Sequence, residues 1–393
     1  MVNTEGIKAE VQAVFPGLLA FCQDLLRIPS YTFEEKGVVE RVVREMEALG
    51  YDQAFIDKTG NAVGIIGEGP VTVMFDSHAD TVREGDRSLW SVDPFGAEIR
   101  DGLLYGLGAS DMKCPGAVSV YAAALLKKLD LCQNKRIVVS FSTMEEDMDG
   151  VALRQVIANN GLHPDCVIIP EPTDLRLCRG HGGRVLYRLD MSGKSSHGSR
   201  PEDGVNAVYL MQEIVRRVEA WSTRLLAENR RNGSVALTKI ESEAASMNAV
   251  PYHCSAYLDR RITVSQTEES LAEEMDALVA GTGAKWSIVT TEETTWNGEQ
   301  AFMRCLFPAF ALESDHPLVQ ASHKAYKALT GKEITEFRFK GTTNAVSSAG
   351  LLKIPTIIFG AGMEDMCHTV DECCRIEDLK EACAFYVNLV ALL

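Results

Sequence analysis

Histidine and carboxylate side chains recur in five short segments whose residue types suit metal chemistry. The segments are His78-Ala79-Asp80, Gly106–Lys113 with Asp111 inside it, Glu145-Glu146, Glu171-Pro172-Thr173, and a glycine-bearing loop that contains His368. In an extended chain, the side chains of residues i and i+2 point the same way. Asp80 can therefore accept the second ring N–H of His78 and fix the tautomer that binds a metal.

Each segment taken alone also fits an ordinary structural role. A His beside an Asp often forms only a surface hydrogen bond, and Asp111 fits a helix cap as well as a ligand. Adjacent carboxylates such as Glu145-Glu146 are common in solvated acidic loops, and Glu171 and His368 each fit a surface loop. Residue type alone leaves these alternatives open.

The elements that carry these segments alternate between strand and helix. Apolar runs at Val71–Phe75, Arg136–Ser142 and Cys166–Pro170 predict buried strands. Helical periodicity at 116–129 and 151–159 separates them. The alternation predicts an α/β domain with a mostly parallel central sheet flanked by helices. The carboxyl ends of such strands meet at one edge, where open α/β sheets place ligands.

Together, the segments supply one His, one Asp and two Glu at or just after strand ends, joined by a late His. These nitrogen and oxygen ligands suit two divalent ions, for which we predict Zn²⁺, with Co²⁺ or Mn²⁺ as alternatives. Asp111 can bridge the ions with its two oxygens. Adjacent carboxylates at a strand end point to opposite sides, so one of Glu145-Glu146 can bind a metal while the other faces a bound water.

The middle of the chain has a different pattern. From about residue 180, apolar and polar residues alternate, and the predicted elements follow the order βαββαβ. We predict an inserted ferredoxin-like α+β domain at residues 180–298, which interrupts a catalytic domain formed by 1–179 and 299–393.

At the N-terminus, the helical spacing over 5–28 is predicted to break at Pro16-Gly17.

Composition limits the classes of partner and compartment. The 39 Lys and Arg against 55 Asp and Glu give a formal net charge of −16, which repels nucleic acid and anionic membranes. Eleven cysteines, none in a CxxC pair, favour a reducing cytoplasm over secretion. The N-terminal residues do not have a signal-peptide pattern, and no apolar run is long enough to predict a membrane span.

Seven motifs follow one another along nearly the whole chain. They are SHADTV, GLGASDMK, TMEEDMDG, PEPTD, GKSSHGSRP, NAVP with DRR, and FGAGMEDMCHT. These motifs resemble those of the M20 zinc aminoacylase/carboxypeptidase family, which includes acetylornithine deacetylase and succinyl-diaminopimelate desuccinylase. Within it, EPTD with RGHGGR, SSHGSRPEDGVNA and DRR is similar to the selenium-metabolism-linked hydrolases. The resemblance implies a zinc-peptidase-like catalytic domain and an inserted lid or dimerisation domain.

The resemblance also implies roles for individual residues. The implied metal ligands are His78, Asp111 and Glu171 for one ion, with Asp111 as the bridge, and Glu146 and His368 for the other. Glu145 matches the general base, and Asp80 matches the partner of the first histidine. His197 matches a histidine that reaches the other subunit's site in family dimers and stabilises the oxyanion there, which predicts a homodimer through the inserted domain.

Three further residues are implied to contact the substrate. Asn248 of NAVP and Arg261 of DRR match residues that hold a substrate carboxylate, and Asn344 stands where many family members have Asp. We therefore expect a metallo-amidohydrolase that cleaves the amide bond of a small N-acyl amino acid or short peptide with a free carboxylate, using a metal-activated water. Two alternatives stay open: a dipeptidase or aminopeptidase of the same family, and a non-catalytic metal-binding homologue.

Overall fold

The computed structural model describes residues 4–339 and 341–393. Within that range the helices are α1 (Thr4–Leu26), α2 (Lys36–Ala48), α3 (Lys113–Lys128), α4 (Val151–Asn159), α5 (Ala207–Ala227), α6 (Glu268–Val279), α7 (Pro317–Thr330) and α8 (Ile376–Leu392). The strands are β1 (Gln53–Ile56), β2 (Ala62–Ile66), β3 (Val71–His78), β4 (Ile99–Arg100), β5 (Leu103–Tyr105), β6 (Lys135–Ser142), β7 (Cys166–Ile169), β8 (Leu177–His181), β9 (Gly183–Ser192), β10 (Ser234–Glu243), β11 (His253–Ile262), β12 (Lys285–Ile288), β13 (Thr290–Thr294), β14 (Gln300–Arg304), β15 (Leu306–Phe307), β16 (Phe310–Ala311), β17 (Glu336–Phe339), β18 (Thr356–Ile358) and β19 (Cys373–Arg375).

The chain forms two compact units. The first consists of the described residues of Met1–Gly180, Glu292–Ala301 and Ala311–Leu393, and the second of His181–Thr291 and Phe302–Phe310. The sequence predicted one departure from the first domain and one return, at 180 and 299. In the structure the first unit resumes at Glu292, and Phe302–Phe310 belong again to the second unit, where β15 pairs with β9.

The first unit is built on a sheet with the strand order β1-β2-β6-β3-β7-β18-β8-β16, with β17 paired to β8. β3 is parallel to β6 and β7, and β18 is parallel to β7. Antiparallel pairing is confined to the flanks, where β1 joins β2, β2 joins β6 and β8 joins β18. The predicted mostly parallel central sheet is confirmed.

Helices α1, α3 and α8 pack together beside this sheet, and their buried apolar side chains form one hydrophobic core with those of the strands. β2 and β7 are buried along their whole length, as expected for strands covered on both faces. α1 runs unbroken through Pro16, so the predicted break was wrong. Pro16 is exposed, while Phe15 and Leu18 beside it are buried in the core, and this packing outweighs the backbone hydrogen bond that proline cannot make.

The register of the parallel strands brings the ligand-bearing segments to one edge. The predicted strands at 71–75, 136–142 and 166–170 are confirmed as β3, β6 and β7, and β3 extends three residues further to end at His78. His78 lies opposite Ser142, the last residue of β6, so Glu145-Glu146 follow at the same edge. Glu171 follows the end of β7 in the same direction.

The second unit is an α+β fold whose sheet has the order β10-β11-β9-β12, with all neighbours antiparallel. Helices α5 and α6 pack together, and α5 packs on β9, β10 and β11. This is the ferredoxin-like arrangement that the order βαββαβ predicted.

Across residues 4–339 and 341–393, every helix is too short or too polar to cross a membrane.

Candidate metal centre

Three predicted ligands converge at the carboxyl edge of the central sheet. One ligand atom each from His78, Asp111 and Glu146 lies within 4.8 Å of the others. His78 ends β3, Asp111 precedes α3, and Glu146 follows β6, so three separate elements supply them. Residues of distant sequence position brought this close form a candidate metal site.

The ring of His78 is oriented from both sides. Its Nδ1 lies 3.0 Å from the backbone oxygen of Asp80 and 3.4 Å from Oδ1 of the same residue. Its Nε2 lies 3.0 Å from Oδ1 of Asp111. Burial lowers the pKa of His78, but the two aspartates outweigh it and raise the pKa well above its ordinary value. An Nδ1–H donated to Asp80 leaves Nε2 as the atom that can bind a metal.

His368 meets the cluster from the opposite end of the chain. Its Nε2 lies 3.1 Å from Oε2 of Glu146 and 3.4 Å from Oδ2 of Asp111, and its side chain is about half exposed. Hydrogen bonding to Asp111 and Glu146 raises the pKa of His368 to about 10. Asp111 therefore has a histidine beside each oxygen, His78 at Oδ1 and His368 at Oδ2.

Glu145 and Glu171 complete the cluster from its buried side. Oε1 of Glu171 lies 4.0 Å from Nε2 of His78, and Glu171 is 4% exposed. Glu145 is 8% exposed. Burial raises the pKa of Glu145 well above its ordinary value, and the neighbouring carboxylate of Glu171 adds to the rise. Burial likewise raises the pKa of Glu171, and Asp111 contributes.

The donor set fits divalent cations. Burial followed by repulsion from other carboxylates raises the pKa of Glu146 as it does that of Glu145 and Glu171. The cluster thus concentrates more negative charge than its two histidines balance. Imidazole nitrogens with carboxylate oxygens suit zinc and also other divalent metals.

Three buried carboxylates hold the ligand-bearing loops, and two of them, Glu35 and Glu372, were not among the predicted site residues. Oε1 of Glu35 accepts the N–H of Met144 at 2.9 Å, directly before Glu145. Asp80 does more than face His78, because its Oδ1 and Oδ2 accept the N–H groups of Glu145 and Glu146, each at 3.1 Å. Glu372 accepts N–H groups of the loop that carries Asp111. The sequence feature that could have pointed to Glu372 is its position, four residues after the predicted ligand His368.

Asn344 lies in the core of the first unit, where it contacts protein groups. It is 2% exposed, its Oδ1 accepts the N–H of Gly150 at 2.7 Å, and its Nδ2 donates to Asp76 at 2.8 Å and to Ser142 at 2.9 Å. Both polar atoms are committed within the protein. The position does not support the predicted contact with substrate.

The other predicted residues lie in the second unit. His197 is exposed, and its Nδ1 accepts the N–H of Ser199 at 3.1 Å. Asn248 is exposed and accepts a hydrogen bond from Ser246 at 3.1 Å. The exposed guanidinium of Arg261 donates to both oxygens of Asp259, at 2.7 and 3.1 Å.

Comparison with known proteins identifies the family of the chain. Residues 74–392 match the model of peptidase family M20/M25/M40. The uncharacterized protein YgeY of Escherichia coli (strain K12) is 36% identical over 372 residues, covering 94% of this chain and 92% of that protein. Acetylornithine deacetylase of Vibrio parahaemolyticus is 27% identical over 374 residues, covering 91% of this chain and 92% of that protein. The crystal structure of Bacillus subtilis YXEP, a dinuclear metal binding peptidase from the M20 family, aligns with a TM-score of 0.68 at 16% identity, covering 97% of this chain and 98% of that one.

Proposed function

Because the chain belongs to peptidase family M20/M25/M40 and is a hydrolase of C–N bonds, we propose that it is a dinuclear metal-dependent amidohydrolase. Its substrate is a small N-acyl amino acid or short peptide with a free carboxylate. The observation that carries the proposal is the buried Glu145 carboxylate beside the converged ligands His78, Asp111 and Glu146. A protein that only binds metal has no need of a further carboxylate at that position.

The residues that would hold the two ions follow from the contacts. His78 and Glu171 lie on the Oδ1 side of Asp111, and Glu146 and His368 lie on its Oδ2 side. When bound, two divalent ions supply Lewis-acid polarisation of an amide carbonyl and a water acidic enough to ionise near neutral pH. We propose Zn²⁺ as the native ion, since imidazole with carboxylate is a common zinc ligand set.

Glu145 serves as the general base. Its backbone N–H is bonded to Asp80, which fixes the residue beside the ligands, and burial raises the pKa of its carboxyl. A carboxylate with a raised pKa is a stronger base, so Glu145 can take a proton from the attacking water and later give it to the leaving amine.

The test is hydrolysis of a panel of N-acyl amino acids and dipeptides by Zn²⁺-, Co²⁺- and Mn²⁺-loaded protein. Glu145→Gln should lower kcat by about 10²–10⁴-fold with the metal content unchanged. Asp147→Asn is the matched control, because Asp147 is an exposed carboxylate two residues further along the same loop. Preference for acylated amino acids supports a deacylase, and preference for dipeptides supports a peptidase. A metal-loaded protein inert on the whole panel contradicts the proposed activity.

We also propose that the protein is a homodimer in which His197 acts on the other subunit's site. Its exposure in the second unit supports this role, since an oxyanion donor must be accessible to substrate. His197→Ala should lower kcat by about 10²–10³-fold. Mixing equal amounts of inactive Glu145→Gln and His197→Ala proteins, with subunit exchange, should restore about a quarter of the wild-type rate, since one site in each mixed dimer is intact. No recovery despite demonstrated exchange, or an active monomer by light scattering, contradicts action between subunits.

The cysteines support a reducing compartment, and we propose the cytoplasm. All eleven are free thiols, and most are buried in the core. Buried thiols behave as small apolar side chains and are kept reduced in the cytosol.

A further inference from the structure

Glu372 is a buried carboxylate that contacts the loop carrying Asp111. It is 1% exposed and lies four residues after His368, directly before β19. Its Oε1 accepts the N–H of Ser110 at 2.8 Å and of Asp111 at 2.9 Å, and its Oε2 accepts the N–H of Gly108 at 2.9 Å. Three backbone donors of one loop therefore converge on one side chain.

Backbone contacts strengthen the same connection. The N–H of Gly106 donates to the backbone oxygen of Glu372 at 2.9 Å, and the hydroxyl of Ser110 donates to the backbone oxygen of Cys373 at 2.7 Å. Gly108 has a φ of +89°, a conformation that L side chains rarely adopt. Glycine at position 108 permits this backbone conformation. The hydrogen bonds that Glu372 accepts hold the loop in it.

The residue that this loop presents is Asp111, whose two oxygens face the two histidines of the cluster. Oδ1 lies 3.0 Å from His78 and Oδ2 lies 3.4 Å from His368. A bridging carboxylate must satisfy two ions at once, so a shift of its backbone weakens both. Residues behind metal ligands commonly control affinity in this way.

We propose that Glu372 is a positioning residue that sets the backbone of Asp111 and thereby the affinity of both metal sites. The inference rests on the proposed metal-dependent function and extends it to a residue that contacts neither metal nor substrate. The hydrogen bonds of Glu372 predict the effect of replacing it with glutamine. A glutamine at 372 has one oxygen and one NH₂ group, so it cannot accept from Gly108 and from the Ser110–Asp111 pair together, and its NH₂ would face a backbone donor.

The experiment is titration of metal-free protein with Co²⁺, followed by its visible absorption and by competition with a chelating dye. Glu372→Gln should weaken both binding steps by about 10–100-fold and alter the Co²⁺ spectrum. Glu372→Asp, which keeps the charge and both oxygens on a shorter side chain, should give a smaller loss. Glu45→Gln is the matched control: Glu45 is a partly buried carboxylate that accepts hydrogen bonds from Tyr121 at 2.5 Å and Arg41 at 2.7 Å. It should lose thermal stability with wild-type Co²⁺ affinity.

The outcomes separate this inference from the proposed function. Wild-type protein that binds no Co²⁺ contradicts the metal-dependent function itself. Wild-type protein that binds two Co²⁺ ions, with the same affinities in Glu372→Gln, overturns the role of Glu372. If Glu372→Gln does not fold, Glu372→Asp decides: unchanged Co²⁺ affinity and spectrum in that variant, together with a lowered Tm, would show that Glu372 is only structural.

Discussion

The side-chain amide of Asn344 donates a hydrogen bond to Asp76, with Nδ2 2.8 Å from Oδ2, and both side chains are buried. Asp76 also accepts a hydrogen bond from Ser140 at 2.5 Å. Burial raises the pKa of Asp76 to about 6, although these hydrogen bonds oppose the rise. Asn344 thus provides a neutral donor to a buried carboxylate within the core of the first unit.

Replacing Asn344 with Asp should destabilise the protein in a pH-dependent way. Two carboxylates would then share one buried site, and leaving a buried acceptor without its hydrogen-bond donor costs about 1–3 kcal/mol. The two carboxyl groups would have raised pKa values in the folded protein. The free energy of unfolding of the variant is therefore greatest at low pH and falls as the pH rises. Urea unfolding should therefore show a larger deficit relative to wild type at about pH 8 than at about pH 5.

The control for this prediction is Asn229→Asp, which adds the same charge at an exposed loop position. Its effect should stay within about 0.5 kcal/mol at both pH values. Equal stability of Asn344→Asp and wild type at the higher pH would contradict a structural role for Asn344.

The parallel sheet and the location of the ligand segments could be predicted from the sequence. Apolar runs of strand length that end in polar residues placed His78, Glu145 and Glu171 at a common edge, because parallel strands end at the same side of a sheet. The ferredoxin-like unit followed from its order of strands and helices. These are properties of local pattern and order, which a single sequence contains.

What could not be predicted depends on the path of loops. Glu35, Asp80 and Glu372 each accept backbone N–H groups, and no residue type marks an N–H that has no partner in a helix or strand. Asn344 was assigned to substrate by resemblance to the family, whereas its burial depends on packing against Asp76. Pro16 lies inside a helix because its neighbours pack in the core, a tertiary effect that overrides local propensity.

Asp80→Asn should impair catalysis by loosening the loop that carries Glu145 and Glu146. Both carboxylate oxygens of Asp80 accept N–H groups from this loop at 3.1 Å, and an amide can accept on only one side. We expect activity to fall by about 10–100-fold, with kcat more affected than KM. Steady-state kinetics with a substrate identified from the panel provides the measurement.

Thr32→Val is the matched control for Asp80→Asn. Thr32 donates a side-chain hydrogen bond to Oδ2 of Asp80 at 2.9 Å, so its removal leaves both loop contacts in place. We expect a change of only a few-fold. Equal losses in the two variants would argue that Asp80 acts through local stability and not through the loop.

Removal of metal should abolish activity and lower the thermal stability of the folded protein. Without cations, nothing offsets the burial of the Glu145, Glu146 and Glu171 carboxylates or the repulsion from neighbouring carboxylates, and it is burial first and this repulsion second that raise their pKa values. A ligand at 100 times its Kd stabilises the folded state by about 2.7 kcal/mol. Calorimetry should therefore show a lower Tm after chelation and recovery on adding Zn²⁺. Undiminished hydrolysis by protein shown to be metal-free would refute the dependence.

His181 should make the second unit less stable in acid. Its ring is buried edge-on against Phe310, with centroids 4.7 Å apart, and its Nδ1 lies 2.6 Å from the backbone oxygen of Gly182. Burial lowers the pKa of His181 to about 4. The unfolded chain, with an ordinary histidine pKa near 6.5, then binds a proton more readily than the folded protein at pH values between these two.

The stability that neutral His181 contributes is therefore fully present above about pH 6.5 and is lost as the pH falls towards 4, by about 3 kcal/mol in all. His181→Gln removes the titrating group, so its free energy of unfolding should fall less than that of wild type between about pH 7 and 4.5. Urea unfolding at both pH values measures the difference, and His163→Gln, at an exposed position, is the control. Parallel pH profiles for wild type and His181→Gln would show that His181 does not titrate in this range.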